Sequence, residues 1–197
     1  MSDVQAAILD SAENRIRVGG FSGFSFREIA ADVGVKSSSV HYYFPTKEAL
    51  GAAVARRYTD RLAEKVDAAL AEGGDPREVL ANAFKRTAHS ETCMCPMLVM
   101  GAASGDLPKE VNVEVQRFYR MCLEKMTKNG VSQKEAAELL SIITGAIVVA
   151  AALGEKGLYD KATSETVKSF SAPQRGSGRS GTGARELPAR SPRRATS

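Results

Sequence analysis

The sequence predicts an all-α protein, with an N-terminal three-helix helix-turn-helix domain followed by a C-terminal helical bundle. Three observations predict it. Apolar residues recur at i, i+3, i+4 and i+7 in segment after segment, and no segment reads as a strand. Helix signals repeat along the chain. Ser25 with Glu28, Asp75-Pro76 with Glu78 and Ser132 with Glu135 open helices, and Gly19-Gly20, Gly73-Gly74 and Asn129-Gly130 close them. Finally, Phe24 to Leu50, FSFREIAADVGVKSSSVHYYFPTKEAL, reads as two short helices joined by a tight turn, with a third starting at once.

Taken in order, the first helix is expected over Val4 to Val18, with Ile8, Leu9, Ala12 and Ile16 inward and Phe21 and Phe24 filling the junction behind it. In the next, Phe26, Ile29, Ala30 and Val33 share one face, and Gly34 is placed to cap its C-terminus. After the brief turn Val35-Lys36, Ser37 is expected to cap a helix with Val40, Tyr43 and Phe44 inward. Its outward side is Ser38, Ser39, His41 and Tyr42. Small residues there let a backbone approach a DNA major groove, and their donors reach bases and phosphates. Pro45 stops this helix and Thr46 caps a long one running towards Leu70. Lys47 sits in the first turn of that helix, where the helix dipole favours acids, so it is read as a phosphate partner.

Asp75-Pro76 opens a helix striped by Val79, Leu80, Ala83 and Phe84, and Pro96 starts a short one through Met100 to Ala103. Pro108 opens a helix whose Val111, Val115, Phe118, Cys122 and Met126 fall on one face. The helix after Ser132 is apolar almost all round from Ala136 to Leu153, so burial on several sides is expected. A last helix is expected over Tyr159 to Phe170. The segments divide as residues 1–50, 51–170 and a basic tail, 171–197. The tail is rich in Gly, Ser, Arg and Pro, and its composition predicts disorder.

Composition narrows the function classes. The chain has 197 residues, 25% charged and 43% hydrophobic, within the ordinary globular range. Its net charge of +4 comes from the tail, which holds six of the 27 basic residues and one of the 23 acidic ones. The rest is close to neutral, so nucleic-acid binding must rest on a local patch. The apolar run Ile142 to Leu153 is interrupted at Thr144-Gly145 and reads as too short for a bilayer, and the polar N-terminus does not read as a signal peptide. Three cysteines fit a reducing cytoplasm. Two histidines outside any triad-like or HExxH pattern, and no Gly-rich phosphate loop, leave a catalytic reading without residues. No cofactor is expected.

From Ile8 to Tyr58 the sequence resembles the DNA-binding domain of the TetR family of bacterial transcriptional regulators, through the helix-turn-helix joined to YYFPTKEAL at matching spacing. The resemblance implies a homodimeric regulator, most often a repressor, whose C-terminal bundle serves ligand binding and dimerisation. It implies phosphate contacts from Ser25, Arg27 and Lys47, and a DNA-facing surface of Lys36, Ser37, Ser38, Ser39, His41 and Tyr42. Many members have Tyr then His where this chain has His41 then Tyr42, so base preference does not transfer. It also implies a small-molecule pocket, for which Phe84, Met97, Met100, Phe118, Tyr119 and Cys122 are the inward candidates.

His89, Cys93, Met94, Cys95, Met97, Met100 and Cys122 cluster in one part of the chain. They read first as core, since Met and free Cys pack as soft hydrophobes. A second reading is a thiol sensor of oxidants or electrophiles at Cys93 or Cys95, just before a helix start. A soft-metal site ranks last, and no metal is expected. His89 and Cys93 therefore join the ligand-binding candidates. For dimerisation the candidates are Leu139, Ile142, Ile143, Ala146, Val149 and Leu153, which one small chain has too few helices to cover. A helical adaptor that does not touch DNA is the non-regulatory alternative.

Overall fold

The computed structural model describes residues 2–171, and within them there are nine α-helices and no strand. Three helices form the N-terminal unit: α1 (Asp3–Gly19), α2 (Phe26–Val33) and α3 (Ser37–Tyr43), with a 3-10 turn at Phe21–Gly23. The remainder is α4 (Lys47–Ala71), α5 (Pro76–Ala88), α6 (Pro96–Ala102), α7 (Lys109–Lys128), α8 (Gln133–Leu153) and α9 (Gly157–Ser171). The expected tail lies outside the described residues, apart from Ser171 at the end of α9.

The caps account for most boundaries. Ser2, Ser25, Thr46, Asp75 and Ser132 each accept a backbone N–H of the first turn that follows. Gly34 ends α2 in the left-handed conformation, φ 73°, where a Cβ would be strained. The expected cap at Ser37 is corrected. Lys36 is the N-cap of α3 and Ser37 is already helical, so α3 starts without a side-chain cap.

The inward faces pack as the periodicity requires. Ile8, Leu9, Ala12 and Ile16 of α1 join Ile29 and Ala30 of α2, Val40 and Phe44 around α3, and Leu50 and Val54 of α4 in one buried cluster. Val111, Val115, Phe118, Cys122 and Met126 of α7 are all buried. α4 packs along α7, and α8 packs along α9.

α8 corrects two expectations. Its full 21 residues are long and apolar enough, by length and composition, to cross a membrane, with a mean hydropathy of 2.2 over the most apolar window. Yet Leu139, Ile143, Ile147 and Ala150 are turned into the chain's own core. That also removes Leu139, Ile143 and Ala146, all buried, from the surface on which a second chain could pack. Ile142 is half-buried, and Val149 and Leu153 remain exposed beside Val148.

The two parts of the chain meet tightly at Gly51, in the second turn of α4. A Cβ there would stand 2.7 Å from the Phe21 ring and 3.2 Å from Val111 Cγ2, so the turn after α1, α4 and α7 converge where no larger side chain fits. Gly51→Val overpacks this point, a change that costs about 1–3 kcal/mol. A lower urea midpoint is expected. An unchanged midpoint would mean that Phe21 swings away freely.

Candidate DNA interface and interdomain cleft

α3 is carried on a polar clamp between α1 and α2. The Arg15 guanidinium reaches Asp32 at 2.7 and 2.9 Å and Glu28 at 3.1 Å, while Ser11 Oγ donates to Asp32 at 2.6 Å. These bonds, Arg15 first and then Ser11, hold the Asp32 carboxyl down at about 2. Glu28 is also lowered, chiefly by the Ser25 hydroxyl that donates to it at 2.7 Å. Ser25 is thus engaged within the cap, whereas Arg27 is exposed. On this scaffold α3 presents Lys36, Ser37, Ser38, His41 and Tyr42 to solvent, with Ser39 half-buried. Tyr42 is 82% exposed and stands edge-on to Tyr43. His41 is less free than its exposure suggests, because its ring packs against Phe26 with centroids 4.5 Å apart.

Lys47 has a structural role that the helix dipole did not predict. Its ammonium lies over Phe24 at 4.6 Å and Phe21 at 5.1 Å from the ring centroids, a cation–π pairing that explains a cation in the first turn of α4.

Most of the candidate ligand residues are packed as core, while Tyr119 lines a small depression with Gly101, Asn112 and Val115. Phe84, Met97, Met100, Phe118 and Cys122 are packed as core, with edge-on contacts among Phe84, Phe118 and Tyr119. Tyr119 is half-buried and donates to the Met97 carbonyl at 3.3 Å. His89 is exposed, the C-cap of α5, and bonds Asp160 of α9 at 2.9 Å.

All three thiols are buried. Cys93, held at φ 49°, points its thiol at the Ala88 carbonyl, 2.8 Å away. Cys95 is directed at the Tyr58 hydroxyl at 3.4 Å, and burial pushes its thiol up; burial does the same to Cys122. A raised, buried thiol is a poor nucleophile, which weighs against Cys95 as a thiol sensor. Among the described residues, no group of three or more His, Cys, Asp or Glu is placed to hold a metal.

A depression that bridges the helix-turn-helix unit and the bundle lies between α1, α4 and α5. It is an open cleft of about 520 Å³, lined by Asn14 and Arg17 of α1, Tyr58, Arg61, Leu62 and Lys65 of α4, Ala83, Arg86 and Thr87 of α5, and the loop Ser90 to Thr92. Beside it, the buried Glu13 carboxylate receives Arg17 at 2.7 Å, Arg61 at 2.5 Å and Arg57 at 3.3 Å. Arg57 also reaches Asp10 at 2.7 Å, yet its buried Nε has no hydrogen-bond partner. Arg17 further donates to the Met94 carbonyl at 2.7 Å and lies over the Tyr58 ring. The sequence reading missed this cleft. Its basic residues come from three separated segments, and only Arg17, Arg57 and Arg61 spaced along α1 and α4 hinted at a common partner.

Residues 8–54 match the family model for bacterial regulatory proteins of the tetR family. The N-terminal domain belongs to the TetR family. Similar solved structures span both parts of the chain. A TetR-family regulator from Legionella pneumophila is 25% identical, with a TM-score of 0.76 over 86% of this chain and 98% of that one. One from Agrobacterium tumefaciens is 21% identical, with a TM-score of 0.77 over 84% and 96%. FadR from Bacillus subtilis, solved in complex with stearoyl-CoA, is 14% identical, with a TM-score of 0.64 over 84% and 96%. No curated protein matches the sequence. The chain has the fold of a TetR-family transcriptional regulator, and the family is one of DNA-binding regulators.

In this TetR-family domain the α1–α2 clamp sets an acid limit. The folded carboxyl of Asp32 titrates at about 2 against an ordinary 3.8. A depressed folded value means that the clamp's stabilisation is fully present above 3.8 and is lost as pH falls towards 2. Asp32→Asn should lower the melting temperature near neutral pH and remove part of the acid dependence in that window. Equal melting curves for the two proteins at neutral pH would show that the clamp stabilises nothing.

Proposed function

We propose that the chain is a homodimeric, cytoplasmic transcriptional repressor that leaves its operator when a small molecule binds its C-terminal domain. The observation that supports this most is the outer face of α3, which offers Lys36, Ser37, Ser38, His41 and Tyr42 on a helix braced from behind by α1 and α2. Residues 1–50 form the DNA-binding domain and residues 51–170 the effector and dimerisation domain. Ser25, Arg27 and Lys47 flank α3 and supply phosphate contacts, Lys47 while keeping its place over the Phe21 and Phe24 rings. Ser39 and Tyr42 read the groove with the other α3 residues. Two copies hold their α3 helices roughly 34–36 Å apart, one DNA turn. The effector favours another spacing, and operator affinity falls by linkage. The stearoyl-CoA held by the FadR neighbour supports a small-molecule effector of some kind here.

Duplexes selected from the source genome by the full chain test the DNA reading. Lys36→Ala should weaken binding to all duplexes and reduce the salt slope by about one, whereas Tyr42→Ala should also shift sequence preference. A chain that captures no duplex in a salt-dependent way would instead be a helical adaptor.

Dimerisation is assigned to the outer side of α8, where Val148, Val149 and Leu153 are 48%, 50% and 63% exposed and Gly145 leaves room for a second helix. Val149→Arg puts an unpaired charge in that seam without touching the core. A soluble monomer in sedimentation analysis is expected, and a dimer of unchanged strength would move the interface elsewhere.

A further inference from the structure

We infer that the cleft between α1, α4 and α5 is an anion-binding effector site, taking a small organic acid or phosphate ester on a short apolar body. The inference rests on the effector-controlled reading above and names where the ligand sits and what charge it carries. Four of the twelve lining residues are basic, Arg17, Arg61, Lys65 and Arg86, and one is acidic, Glu91. The positive charge is not cancelled from beneath. One buried carboxylate, Glu13, is shared by Arg17, Arg57 and Arg61, with only Asp10 added at Arg57. Lys65 and Arg86 form no ion pair among the described residues. Leu62 and Ala83 provide an apolar wall, and Thr87 and Ser90 provide hydroxyls. The volume suits a small ligand.

Charge in a concave, partly enclosed site is screened less than on an open surface, so an anion is favoured there over the same anion on a flat lysine patch. A ligand in the cleft touches α1, which belongs to the DNA-binding domain, and α5, which belongs to the bundle. Its binding therefore couples directly to the angle between them.

The probes are phenyl phosphate, benzoate and the uncharged benzamide, titrated calorimetrically into the full chain at constant ionic strength without DNA. Saturable binding of one or both anions, and none of benzamide, is expected; the stronger of the two tells a phosphate ester from a carboxylate. Lys65→Gln with Arg86→Gln should weaken that binding roughly tenfold or more, since charged hydrogen bonds are worth about that each. The inference is overturned if neither anion binds, if benzamide binds equally, or if the double variant binds like the wild type. Neither substituted residue lies on α3, so the double variant should still bind DNA. Loss of DNA binding in the wild type would strike the regulator reading alone, because the probes are titrated without DNA.

Discussion

Glu13 is the constraint on which the arrangement of the chain depends. The residue is 6% exposed, and its carboxylate accepts from guanidinium groups on α1 and on two turns of α4. A buried charge is tolerated only when it is paired, and removing one partner of such a pair typically costs about 3–5 kcal/mol. The first and fourth helices are therefore locked in register by charge as well as by the apolar contacts of Ile8, Ala12 and Ile16. Arg17 carries the lock onward, over the Tyr58 ring and into the Met94 carbonyl just before α6. Any rotation of the N-terminal unit against the bundle has to rearrange these bonds, so the lock resists small, continuous changes in orientation.

The Met- and Cys-rich middle of the chain has a packing explanation. α6 is one short helix between α1 and α7, and the unbranched Met97 and Met100 fill the irregular space left there. Cys93 makes the turn into that helix in the left-handed region, rare for a residue with a Cβ, and its thiol closes on the Ala88 carbonyl. The turn, more than reactivity, accounts for that thiol's position.

Much of the fold was legible because it is local. Ser25, Thr46, Asp75 and Ser132 announce helix starts within four residues of themselves, and the α7 face repeats at helical period, so both could be read without any partner in view. The outward set of α3 was legible for the same reason. What escaped is what depends on chain segments far apart. Lys47 looked misplaced because Phe21 and Phe24, the rings beneath it, belong to another element. Leu139, Ile143 and Ala146 looked available because α8 is apolar all round, and only the packing of α9 and α5 decides which side is already covered. The cleft was illegible because Arg17, Arg61, Lys65 and Arg86 are spaced across three helices, and the space between helices has no periodicity to read.

If the proposed dimer forms through them, the exposed Val148, Val149 and Leu153 of α8 tie protein amount to output. When a two-part DNA site needs both halves of a dimer, and the halves join through this strip, subunit assembly and promoter occupancy draw on one equilibrium. At subunit levels below the assembly constant, the paired form grows with the square of expression. A gene controlled this way responds to a modest change in dosage of the regulator with a disproportionate change in transcription, and the strength of one apolar strip, far from the DNA, sets where that threshold falls.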